Sequence, residues 1–297
     1  MTALALEISP SGFAAGRPDE DNDDDSDIRR VPILARDPWD DCRKLLLEVA
    51  GGRDVTTVGI GCAGPIDMGA GVVAPPDIAR WRTGFEIVSA TKGLFPRATV
   101  LLALDGVCAA LAERAFGATA EVMDSLVLTL GDRIAGGATA GGFAMVGRTG
   151  NAGNIGHLLV PGFDEPCDCG GRGCLEAVAG GRSVVRWARQ QGWGGQSVIE
   201  LAAAAAAGDE PAVAAARRAG TALGLAISSA AALLDVDLVV LGGPLSEAGP
   251  ALWRPLGDAV AAHARLGSLT GLRVVPSPLG QMSVLAGAGL LAMRATG

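Results

Sequence analysis

Lysine is nearly missing from this chain. Only Lys44 and Lys92 occur in 297 residues, and Leu and Gly follow them. No G-x4-G-K-[ST] phosphate loop can therefore be written anywhere, which excludes P-loop chemistry. Long apolar runs are missing too. The longest charge-free stretch near the middle, Ala219 to Leu234, has 16 residues, short of the roughly 18–20 that cross a bilayer, and it is expected to be a buried helix. The opening MTALALEISPSG has neither a basic start nor a long apolar segment, so no secretory signal is read and a cytoplasmic location is the expectation. Positive charge is also scarce: 24 Lys+Arg stand against 32 Asp+Glu, net −8. That balance offers no broad electropositive surface, so neither nucleic acid nor a membrane is expected as partner.

What is plentiful is apolar material: 49% hydrophobic residues with 44 glycines and 16 prolines. Such a chain can bury a large core and folds as two domains or one elaborate one. Strands are expected at Leu4–Ile8 and Phe13–Ala15, around a turn at 9–12, and the acidic run 19–27 reads as a solvated hairpin tip. A strand over Arg30–Ala35 and a helix over Trp39–Val49 follow, the helix placing Leu45, Leu46 and Val49 on one face. Next come a buried strand at Val58–Cys62, a turn at Gly64–Asp67, a loop over 74–81, a helix near 85–93 and a strand at Thr99–Ala103. Asp105 then sits between that strand and a helix over 106–116. There an acid is either a helix N-cap or a functional group at the carboxyl end of a strand, where open α/β sheets place ligands. Beyond Ser125–Leu130 the glycine-laden stretch 131–137 reads as a loop and Thr139–Val146 as the returning strand. Helices are expected at 183–190, 198–207, 211–234 and 250–266, strands at 238–241 and 272–276, and a terminal helix from 283. The pattern is α/β with two lobes.

Six cysteines in a reducing compartment are thiols or metal ligands. His157, Cys167, Cys169 and Cys174 form H-x9-C-x-C-x4-C, and Gly170, Gly171 and Gly173 let the chain wrap tightly. Three thiolates and an imidazole make a closed tetrahedral shell, the pattern of a structural Zn²⁺ with no open position for catalysis. Cys42, Cys62 and Cys108 have no ligand spacing and read as small apolar core groups. Trp81 reads equally as a pocket wall or a core aromatic, and His263 as a surface or satisfied histidine.

The run Cys167-Asp168-Cys169-Gly170-Gly171-Arg172-Gly173-Cys174-Leu175-Glu176 resembles the C-x-C-G-x-x-G-C-x-E signature of the ROK family of repressors, open reading frames and kinases. Gly153-Asn154-Ile155-Gly156-His157 resembles that family's G-E-I-G-H, and Gly61–Pro65, Asp105, Gly242-Gly243-Pro244 and Ala286–Ala288 match further segments. The resemblance implies an α/β, two-lobed actin/hexokinase-like (ribonuclease H-like) fold. It places an N-terminal lobe at 1–116, completed by a helix at 280–297, and a second lobe with the zinc loop at 117–279. It implies Asp105 as general base, with Gly64, Asp77, Asp105, Asn154, His157 and Glu176 binding a sugar. Gly131, Gly136, Gly137, Gly242 and Gly243 would lie on the nucleotide side, with ATP and Mg²⁺ as cofactors if the protein is active. A homodimer is a further expectation of the resemblance.

The chain also departs from the family. The D-x-G-G-T-K motif reads Glu7-Ile8-Ser9-Pro10-Ser11-Gly12, in which Pro10 lacks an N–H to offer phosphate. The G-T-G-I-G-G-G motif reads Gly131-Asp132-Arg133-Ile134-Ala135-Gly136-Gly137, setting Asp132 against a polyphosphate with Arg133 to offset part of its charge. Leu104 replaces an Asn and Asn154 a Glu. On these losses the sequence favours a sugar-binding pseudokinase. An active ATP-dependent hexose or N-acylhexosamine kinase is the alternative. A transcriptional regulator is disfavoured, since no helix-turn-helix pattern precedes the first strand.

Overall fold

The computed structural model describes residues 2–18, 28–34 and 36–294. The acidic run 19–27 and Ala35, the expected end of the third strand, lie outside the described residues.

The chain opens with β1 (Thr2–Ser9), β2 (Gly12–Gly16), β3 (Arg29–Val31), α1 (Pro38–Ala50), β4 (Val55–Cys62), β5 (Ile66–Asp67), β6 (Val72–Val73), α2 (Ile87–Leu94), β7 (Thr99–Leu104) and α3 (Asp105–Phe116). It continues through β8 (Ser125–Leu130), β9 (Ile134–Ala140), β10 (Phe143–Ala144), α4 (Leu175–Ala179), α5 (Gly181–Gln190), α6 (Val198–Ala206), α7 (Glu210–Leu234), β11 (Leu238–Gly242), α8 (Pro250–His263), β12 (Arg273–Pro276) and α9 (Ser283–Arg294). Two compact units result: Met1–Ala112 with Ala144–Gly153 and Met282–Gly297, and Glu113–Phe143 with Asn154–Gln281. The boundary thus falls inside α3. Set beside the boundaries read from the sequence, residues 144–153 go with the first unit.

In the first unit the strand order is β3-β2-β1-β4-β7. β1, β4 and β7 run parallel, while β2 and β3 turn back antiparallel. The parallel strands are covered, which is why they read as nearly unbroken apolar runs. α1 begins where Asp37 accepts the Trp39 N–H and ends at Gly51 in the left-handed region, φ 56°, so cap chemistry at both ends sets its length. α9 packs on β1 and β4 at backbone distance. A Cβ on Gly59 would lie 1.9 Å from the Ala288 carbonyl oxygen, and one on Gly287 1.9 Å from that of Cys108. Only glycine permits such an approach.

The second unit repeats the plan with the order β10-β9-β8-β11-β12, β8, β11 and β12 being parallel and β9 antiparallel to β8. Here the structure corrects the sequence reading. The loop is confined to 131–133, and Gly136 and Gly137 lie within β9 opposite Leu128 and Val127. Pairing along β8 outweighs the poor strand propensity of glycine. α7 runs from an Asp209 cap to Asp235, φ 53°, and buries most of its first six turns, as the charge-free run predicts. α8 ends at an exposed His263, three residues earlier than expected.

Candidate functional site

Asp105 begins α3 at the carboxyl end of β7, and its Oδ1 accepts the Gly106 N–H at 2.7 Å. The carboxylate therefore satisfies one amide and accepts no other hydrogen bond among the described residues. Removal from water pushes its pKa up to about 7, against the pull of the Gly106 amide. A second carboxylate shares this environment. Glu7 lies opposite Gly61 on β4, which lies opposite Ala103 on β7, two residues before Asp105. On its other side Glu7 pairs with Ala14, which pairs with Arg30. One row across the sheet thus reads Arg30, Ala14, Glu7, Gly61, Ala103, with small residues on either side of the acid. Glu7 is also raised to about 7, first by burial, then by the Asp105 charge, with Arg30 opposing. The same burial raises the Cys62 and Cys108 thiols well above their ordinary range. Together with Cys42 they are free and buried, as expected of core cysteines.

The turns around these strands are braced by a residue that sequence reasoning missed. Asn151 accepts the Ile66 N–H (2.9 Å) and donates to the Ile66 carbonyl (2.6 Å), holding the turn that contains Gly64. A Cβ on Gly64 would meet Leu104 Cδ1 at 2.6 Å. Leu104, in place of an amide, fills this space with packing. Half-buried Asp77 lies in the loop that Arg82 closes through the Pro76 carbonyl, at 3.0 and 2.8 Å. Trp81 is core, stacked on Phe85 with centroids 4.5 Å apart and 5.5 Å from Phe13.

In the second unit the four predicted metal ligands come together. The ligand atoms of His157, Cys167, Cys169 and Cys174 all lie within 4.8 Å of one another. His157 Nδ1 is 3.8 Å from Cys167 Sγ, and Cys169 and Cys174 Sγ are 3.7 Å apart. Sulfur ligands about 2.3 Å from a tetrahedral ion stand about 3.8 Å apart, whereas a disulfide would require about 2.05 Å. The residues fit a metal. Burial and Arg133 lower the proton affinity of His157, favouring the neutral ring a metal needs. His157 and Asn154 are both exposed.

Glu176 follows the last cysteine by two positions and is buried. Its Oε2 accepts the Ile134 N–H at 2.8 Å, and Oε1 lies 3.8 Å from Arg133 Nη1. Arg133 also donates to Asp168 at 3.2 Å. The guanidinium expected to offset Asp132 is thus engaged elsewhere, and Arg182 takes that part at 3.7 Å from Asp132. Asp132 and Arg182, with Arg186, Arg189, Gln190 and Gln196, line a pocket of about 530 Å³ beside Gly131. Nothing local in the sequence announces it, because its cations come from α5, about 50 residues downstream. Gly242 closes β11 beside Ser277, and Gly243, φ 85°, sits where a Cβ would be 2.7 Å from the Leu130 amide.

Known proteins bear on this arrangement. The family model described as ROK matches residues 45–295. The chain belongs to the ROK family. A glucokinase of Thermotoga maritima is 29% identical over 97% of the chain and 96% of its own length. A kanosamine kinase of Amycolatopsis mediterranei is 32% identical over 81% and 78%. Among solved structures, a ROK family glucokinase from Streptomyces griseus in complex with glucose and AMPPNP is 27% identical with a TM-score of 0.84, covering 99% of this chain and all of that one. The fold class is α/β, the two-lobed actin/hexokinase-like (ribonuclease H-like) fold of ROK sugar kinases. Among the described residues no helix is long and apolar enough to cross a membrane.

Proposed function

We propose that this ROK-family chain is an active ATP-dependent kinase of a hexose or N-acylhexosamine, the alternative to the pseudokinase that motif losses alone favour. The observation that carries the reading is Asp105: a carboxylate at a strand's carboxyl end, largely free of hydrogen bonds and with a proton affinity matched to neutral pH. Such a group suits general-base work. Asp105 takes the proton of a sugar hydroxyl as that oxygen bonds to the γ-phosphorus of ATP and the bond to ADP breaks. Relatives named glucokinase and kanosamine kinase add support.

The departures on the phosphate side are milder in the fold than in the sequence. Arg182 offsets the charge of Asp132, and Arg186 and Arg189 line the same pocket. At the first turn, where Pro10 removes an amide, the Ser9 hydroxyl donates to the Gly12 carbonyl at 3.1 Å and stands 3.0 Å from the Ser11 hydroxyl, so the turn is held by its own side chains. Gly131 and Gly243 allow close backbone approach to the nucleotide, while Gly136, Gly137 and Gly242 serve as strand residues behind it. Mg²⁺ supplies charge neutralisation on the phosphates. For the sugar, His157, Glu176 and Asn154 would provide hydroxyl partners from the second unit, and in the first unit Asp77 would offer an acceptor and Gly64 leave room. The cysteines and His157 Nδ1 hold a Zn²⁺ that orders the loop carrying His157.

Turnover decides the matter. Glucose, N-acetylglucosamine, N-acetylmannosamine and kanosamine are each incubated with ATP and Mg²⁺, and ADP and sugar phosphate are quantified. At least one sugar is expected to give both in equal amounts. Sugar binding with no turnover on any of them would restore the pseudokinase reading.

A further inference from the structure

Arg133 occupies the place of a glycine in the family's second phosphate motif, and its guanidinium stands between two carboxylates. Its side chain is only 19% exposed. One nitrogen reaches Asp168, which stands between the ligands Cys167 and Cys169; another faces Glu176, two residues past Cys174. Glu176 in turn holds the Ile134 N–H, and the same turn is pinned from the other side by the amides of Gly181 and Arg182, which donate to the carbonyls of Gly131 and Asp132 at 3.0 and 3.1 Å. The metal loop and the turn 131–133 are thus joined by one side chain that holds a carboxylate in each neighbouring segment.

We infer that Arg133 is a positioning residue that couples order in the metal loop to order in the turn 131–133. With metal bound, the backbone around Asp168 is fixed, Asp168 and Glu176 hold the guanidinium, and the turn keeps one conformation. Without metal, Asp168 is free to swing into solvent, where 77% of its side chain already lies, and the turn loosens. A planar guanidinium can serve two carboxylates at once; an ammonium serves as a point charge. That the turn meets nucleotide phosphate rests on the function proposed above, but the coupling does not.

The test is a cycle of metal state against residue 133 on the full chain, read by hydrogen exchange of the peptide spanning 131–135 and by the rate of Zn²⁺ transfer to a chromophoric chelator. In the wild type, removing Zn²⁺ is expected to speed exchange of that peptide at least about tenfold. In Arg133→Ala the holo protein already exchanges fast, metal removal adds less than about threefold, and Zn²⁺ leaves several times faster. Asp168→Asn, an exposed change that leaves folding intact, should reproduce the effect, and Arg133→Lys should restore only part of it. Equal acceleration on metal removal in wild type and Arg133→Ala, or no effect of metal on this peptide in the wild type, would overturn the inference. MgATP titration of the wild type is read separately: failure to bind nucleotide would remove the proposed function and leave the exchange cycle to stand or fall alone.

Discussion

The chemistry of the first unit is set by which residues are small. Two long, charged side chains, Arg30 and Glu7, flank Ala14, and Gly61 separates Glu7 from the strand that ends at Asp105. Each carboxylate disfavours ionisation of the other, beyond what burial already does. A base must be unprotonated, so kcat/KM should rise with pH through an acid limb centred near 7, the value to which Asp105 is raised. Glu7→Gln removes a negative neighbour and lowers the proton affinity of Asp105; the limb should shift toward lower pH. Cys62, Cys108 and Cys42 are the other titratable neighbours, and their raised thiol values leave them neutral throughout this range. A pH–rate profile checks this. The row was invisible to sequence reading, because register across five strands brings together residues separated by up to about 100 positions.

At the scale of elements, glycine has two meanings that composition alone confuses. Gly136 and Gly137 read as a loop, yet pairing with β8 makes them strand. Gly59 and Gly287 draw little notice, yet they let α9 touch β4 and α3 through backbone atoms. Gly287→Ala would place a methyl inside the Cys108 carbonyl and must displace a helix, at a cost of about 1–3 kcal/mol or more. Chemical denaturation should show that loss, while Gly93→Ala, at a helical position with open space around it, should be neutral or mildly stabilising. The helices themselves were legible because their stops are local: Asp37 and Gly51 on α1, Ser197 with Glu200 on α6, Asp209 on α7.

Across the whole molecule, the metal loop was the most legible feature, since four ligands within 18 residues leave little to tertiary context. Elemental analysis should find one Zn²⁺ per chain, and chelation or Cys174→Ser should lower the Tm, because binding energy at such a site is folding energy. The phosphate side was the least legible, since a substituted motif shows what was lost and not what a distant helix returns, as Arg182 does for Asp132. Function turns on that difference. The most direct measurement is the rate of sugar phosphate formation by the wild type and by Asp105→Asn, with sugar and MgATP binding of both measured by calorimetry. The account predicts wild-type turnover and a fall of at least about a hundredfold in kcat with binding retained, in line with the loss of a general base. Binding of both ligands without turnover, or a rate indifferent to Asp105, would contradict it.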